Sequence, residues 1–73
     1  MEKISEMQRE VLLKIQNYIE ENGYSPSVRE LCKLTGKSSP ATIHFHLKAL
    51  KRKGYINYNE RKNRTIRVLI KVE

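Results

Sequence analysis

Apolar residues along this chain fall at helical spacing three times and then switch to alternation. Met7, Val11, Leu12, Ile15 and Ile19 recur three and four apart, which places them on one stripe of a helix. Ser5-Glu6-Met7-Gln8 supplies a capping box at its start, and Gly23 supplies a stop. The spacing predicts a first helix over about residues 6–22. Ser27-Val28-Arg29-Glu30 is a second capping box after the extended Tyr24-Ser25-Pro26 segment. It opens a short helix over about 28–35 that turns Val28, Leu31, Cys32 and Leu34 inward and ends at Thr35-Gly36. Ser39-Pro40 then reads as an N-cap followed by proline at the first helical position. The third helix, about 40–53, carries Ile43, Leu47 and Leu50 on its inner stripe and closes at Gly54.

Two helices joined by a three- or four-residue turn containing glycine make a helix-turn-helix, with the first helix bracing it from behind. Beyond Gly54 the period changes to two. Ile56 and Tyr58, then Ile66, Val68 and Ile70, lie on one face, with Thr65, Arg67 and Lys71 on the other. That describes two half-buried strands. Asn59 to Asn63 suits the tip of a hairpin spanning about 55–70, since asparagine tolerates turn conformations. The fold class expected is α+β, mainly α, with three helices followed by a C-terminal β-hairpin, all in a single domain over residues 1–73.

Composition narrows the function. A chain of 73 residues and 38% apolar content holds one small core and has little room for a large catalytic pocket. The longest apolar runs are three residues, as in Val11-Leu12-Leu13, against about 20 for a spanning helix. Neither a membrane span nor a secretory signal is expected. The lone Cys32 can form no internal disulfide, which suggests a reducing, cytoplasmic setting. Charge is divided unevenly: residues 1–36 hold five basic side chains against six glutamates, net −1, whereas residues 37–73 hold ten against two, net +8. Such asymmetry suits a polyanion whose phosphates are neutralised together. A merely solubilising surface is the alternative.

With Ile43 at zero on a helical wheel, Leu47 and Leu50 fall within about 40°, while Ala41, His44, Phe45, Lys48 and Arg52 lie roughly 100–200° away. Phe45 is nearly opposite the stripe. A helix lying in the major groove accounts for it: an aromatic ring can touch the thymine methyl while Ser39, Thr42 and His44 bond to base edges. Packing of Phe45 against another protein, or under the hairpin, is the competing explanation. Arg61, Lys62 and Arg64 project from the hairpin tip and suit backbone or minor-groove contact. With Lys37 and Ser38 in the turn and Lys48 and Arg52 on the outward face, they are the candidate backbone contacts. Lys51, Arg52 and Lys53 also favour the helix C-terminus through its dipole. His44 and His46 point about 200° apart, which argues against a shared metal. The chain has no glycine-rich phosphate loop, paired carboxylates or nucleophile motif, so neither catalysis nor a cofactor is expected.

The runs Gly23-Tyr24-Ser25-Pro26-Ser27-Val28-Arg29-Glu30-Leu31, Ser39 to Leu50 (SPATIHFHLKAL) and Lys53-Gly54-Tyr55-Ile56, with the closing Arg64-Thr65-Ile66-Arg67-Val68-Leu69, resemble the amino-terminal DNA-binding domain of the LexA family of bacterial SOS repressors. The resemblance covers about residues 4–70. It implies a winged helix-turn-helix that reads an inverted repeat in double-stranded DNA, with base contacts from the positions held here by Ser39, Ala41, Thr42, His44 and Phe45. Thr42 and His44 resemble the branch whose operators carry GAAC and GTTC half-sites. Phe45 stands where that pattern has a small or acidic residue. Members of the family continue into a dimerising, self-cleaving domain, which these residues do not include. The expectation is therefore a domain that does not cleave itself and that pairs on DNA as a monomer. An excised repressor domain and a stand-alone regulator, for example of a mobile element, both fit, as does a winged-helix module that docks proteins.

Overall fold

The computed structural model describes residues 3–36 and 39–72. Helix α1 runs Glu6–Asn22, α2 Val28–Thr35 and α3 Pro40–Arg52. Each begins where a side chain satisfies free amides of the first turn. Ser5 and Gln8 cap one another reciprocally at 3.1 Å in both directions, and Ser27 with Glu30 does the same for α2 at 3.1 and 2.9 Å. At α3 the Ser39 hydroxyl accepts from the Thr42 amide, with Pro40 at the first turn. This helix ends one residue short of the expectation, with Lys53 as its cap. Gly54 adopts a left-handed conformation at φ 86°, and the Tyr55 amide donates to Leu50 O at 3.0 Å while Gly54 donates to Lys51 O at 3.1 Å. These are the two bonds of a Schellman motif, whose positive φ suits glycine.

All three helices pack against one another around Val11, Leu12 and Ile15 of α1, Leu31 of α2, and Ile43, Leu47 and Leu50 of α3, joined by Tyr55, Ile56 and Ile66. Val28 and Cys32 lie at the margin of this core, half-buried. Leu34 does not join it and is 42% exposed. It falls about 160° from Cys32 on the wheel of α2, so a helix that turns Val28 and Cys32 inward turns Leu34 out.

After α3, strand β1 (Ile56–Asn57) pairs antiparallel with β2 (Arg67–Val68), in the register Ile56 to Val68 and Asn57 to Arg67. The architecture is mainly helical with a C-terminal two-stranded hairpin. The ladder is much shorter than the alternating stretch suggests, although the alternation survives in burial: Ile66 is buried and Val68 and Ile70 half-buried, with Arg67, Leu69 and Lys71 exposed. At the base of the hairpin the Leu69 and Ile70 amides both donate to Tyr55 O, at 2.8 and 3.1 Å, and elsewhere side chains replace the missing rungs. The Thr65 hydroxyl donates to Asn59 O at 3.2 Å and accepts from the Asn59 amide at 2.9 Å, closing the tip. Gln16 of α1 exchanges two hydrogen bonds with the backbone of Val72, at 2.9 and 2.7 Å, holding the segment after β2 against the helix. Among the described residues no helix is long and apolar enough to cross a membrane.

Candidate nucleic-acid interface

The sequestration of Ile43, Leu47 and Leu50 fixes the rotation of α3. Its other face carries Ala41, Thr42, His44, Phe45, Lys48 and Arg52, all exposed. Phe45 is 65% exposed and touches the edge of His46 at 5.6 Å between ring centroids. His46 itself faces inward and is buried, so the two histidines lie on different sides of the helix. At the N-terminal end the Ser39 and Thr42 hydroxyls lie 3.1 Å apart and are exposed, an arrangement that can offer both donors and acceptors to a polar edge. Lys37 and Ser38 lie outside the described residues.

Beside this face stands the hairpin. A cleft of about 250 Å³ separates α3 from the tip, with His44 and Leu47 on one wall and Tyr58, Arg61 and Lys62 on the other. Asn59 shapes the tip: its side-chain oxygen accepts from the Arg61 amide at 2.9 Å and its carbonyl from the Lys62 amide at 3.1 Å. Arg61 and Lys62 are exposed there.

Arg64 departs from the expectation that three cations project from the tip. Its guanidinium folds back onto the start of α2 and meets both carboxylate oxygens of Glu30, Nη1 to Oε1 at 2.8 Å and Nη2 to Oε2 at 3.0 Å. The physical reason is the parallel fork that guanidinium and carboxylate form, stronger than a single neutral hydrogen bond. Lys51 and Lys53 are also tethered inside the molecule. The Lys51 ammonium donates to Tyr58 O at 2.9 Å and sits over the Tyr58 ring, and that of Lys53 donates to Lys3 O and Gln8 Oε1, both at 2.9 Å.

Glu30 is a residue that sequence reasoning saw only as a helix cap. The Ser27 backbone amide, followed by the Arg64 guanidinium, holds its carboxyl down at about 2 from an ordinary 4.5. A carboxyl depressed by folding contributes stability above its unfolded value, and the contribution fades as pH falls through the folded one. Thermal unfolding followed by circular dichroism should therefore show Tm falling as pH drops from 4.5 towards 2, with a shallower fall in Glu30→Gln. Identical pH profiles for parent and variant would contradict this assignment.

Three helices, with only four residues between the second and the third, and a cationic hairpin beside the outward face of the third define a winged helix-turn-helix domain. The match to known proteins is equally specific. A family model described as the LexA DNA binding domain matches residues 1–65, and the chain belongs to that family. It is 52% identical over 69 residues to the LexA repressor of Desulfatibacillum aliphaticivorans, covering 94% of this chain and 34% of that protein. It is 44% identical over 73 residues to the LexA repressor of Thermosipho melanesiensis, 100% of this chain and 36% of that protein. With the LexA repressor of Carboxydothermus hydrogenoformans it shares 41% over 66 residues, 90% of this chain and 32% of that protein. The chain thus spans about a third of the length of the relatives it matches.

Proposed function

We propose that this domain binds double-stranded DNA sequence-specifically and serves as the DNA-reading part of a transcriptional repressor of the LexA type, acting in the bacterial cytoplasm. The observation that carries the reading is the exposure of His44 and Phe45 on a helix whose opposite stripe is sealed in the core. Placed in the major groove, α3 directs Ser39, Ala41, Thr42, His44 and Phe45 at base edges, where polar side chains read donors and acceptors and an aromatic ring reads the thymine methyl. Lys48 and Arg52 on the flank of α3, Lys37 and Ser38 ahead of it in sequence, and Arg61 and Lys62 at the hairpin tip take the phosphates. Those contacts position the domain and carry no sequence information directly.

Two such domains pair on an inverted repeat, each reading one half, with GAAC and GTTC as the half-sites to try first. The isolated domain is monomeric and meets its second copy on the operator. Selection of bound duplexes from a random pool tests the reading directly: an enriched inverted repeat supports it, and a bound pool without a shared motif overturns it. Sedimentation of the domain with a palindromic duplex should show two copies per duplex and a monomer without DNA.

Loss of a phosphate contact weakens binding to all sequences alike, because counterion release depends only on how many phosphates are neutralised. Arg61→Ala and Lys62→Ala should each flatten the slope of log affinity against log salt by about one unit. An unchanged slope in both variants would remove the hairpin tip from the interface. A protein-docking role is the second reading, favoured by the 65% exposure of Phe45. It requires a largely salt-insensitive complex with a protein and negligible affinity for DNA.

A further inference from the structure

The hairpin has too short a ladder to aim itself. Two residue pairs join its strands, and the bonds from Asn59 and Thr65 give the tip its shape without tying it to the helices. On the outgoing side Lys51 of α3 holds Tyr58; the return side is held at its root. Arg64 has φ 56°, a left-handed turn in which the chain leaves the tip and heads into β2. From that turn its Nη1 donates to Ser25 O at 3.2 Å and to the Tyr18 hydroxyl at 3.3 Å, alongside the fork onto Glu30. The guanidinium also lies 5.2 Å from the centre of the Tyr24 ring. Tyr18 in turn donates to Glu30 Oε2 at 2.9 Å. Two residues further on, the Ile66 amide donates to the buried Ser25 hydroxyl at 3.0 Å, and that hydroxyl donates to Pro26 O at 2.9 Å. The return strand is thus fastened at positions 64 and 66 to the segment that opens the helix-turn-helix.

We propose that Arg64 is a positioning residue for DNA binding: clamped on Glu30, Ser25 and Tyr18, it fixes the angle of the hairpin so that Arg61 and Lys62 stand beside the reading face of α3. The inference rests on the DNA-binding reading and assigns Arg64 a role other than phosphate contact. Its fork already faces a carboxylate, and a bidentate phosphate contact would require abandoning that partner. The Glu30 carboxyl, held at about 2, stays ionised at neutral pH.

The sign of one substitution separates the two roles. Glu30→Gln removes a negative charge and leaves the cap in place, since Gln8 forms the same box at the start of α1. If Arg64 were a phosphate contact, the variant would free it and bind DNA as tightly as the parent or more so. As a clamp partner, Glu30→Gln weakens binding although the domain becomes more positive. Arg64→Lys keeps the charge, loses the fork, and should weaken binding similarly.

The experiment measures fluorescence anisotropy of the full chain with a duplex carrying an inverted GAAC/GTTC repeat and with a scrambled duplex. It is paired with residual dipolar couplings of the backbone amides in the DNA-free protein. Expected for both variants are altered couplings in residues 59–66, unaltered couplings in the three helices, and about fivefold or greater loss of affinity for the repeat, with the double variant no worse than the weaker single one, as coupled partners behave. Parent-like couplings in the hairpin, or equal or tighter binding by Glu30→Gln, would overturn the proposal. Equal binding of both duplexes by the unsubstituted chain would instead overturn the sequence-specific reading, and the couplings would still decide whether the clamp aims the hairpin.

Discussion

Leu50→Ala should leave the domain largely unfolded near room temperature or lower its Tm by at least about 8 °C, since truncating a buried leucine costs about 2–5 kcal/mol and each kcal/mol is worth about 4–8 °C in a domain of this size. Leu50 is fully buried, at 0% exposure, in the cluster that joins α1, α2 and α3. A single core in so short a chain rarely supplies more than about 3–5 kcal/mol, so one cavity consumes most of the margin. Leu69→Ala makes the comparison sharp: that leucine is 58% exposed, and its loss should stay within about 0.5 kcal/mol. Urea titrations of both variants provide the measurement. Similar midpoints for the two would mean that α3 is not anchored by its inner stripe, and the orientation of its outer face would lose its basis.

His44→Ala should have the opposite profile, sparing stability and eroding selectivity. His44 is exposed on α3, so its truncation opens no cavity. A base-edge contact discriminates by about 1–3 kcal/mol, or roughly 5- to 150-fold. The ratio of affinities for the selected repeat and a scrambled duplex should shrink by a factor in that range, with affinity for the scrambled duplex and the salt slope unchanged. A uniform loss on both duplexes would place His44 on the phosphate backbone. No change on either would take the middle of α3 out of the groove.

What could be read from the sequence was local. The boxes Ser5-Gln8 and Ser27-Glu30 need only residues three apart, and the structure contains both. The stripe of Ile43, Leu47 and Leu50 needs only the helical repeat, and with it came the outward placement of Phe45. Contacts made across the fold were not legible. Arg64 reads as one more cation in a basic loop until a carboxylate 34 residues earlier is brought beside it. Tyr18, 46 residues away, shares the same guanidinium, and no periodicity links such positions. The strands failed for a related reason. Alternation reports which face is buried, and the half-buried face here is covered by side chains while regular ladder pairing stops after two residue pairs, extended only at its base by the Leu69 and Ile70 amides donating to Tyr55 O.

Tethered cations change the electrostatic tally. Of the ten basic side chains in residues 37–73, Lys51, Lys53 and Arg64 are already committed to oxygen atoms of the fold itself. Arg64 is neutralised by a carboxylate, and the Lys51 and Lys53 ammoniums, though still charged, would have to leave carbonyl oxygens of the fold to reach a phosphate. Part of the excess written into the carboxyl-terminal half is thus internal mortar, and a formal count of lysines and arginines overstates the ionic grip of this surface.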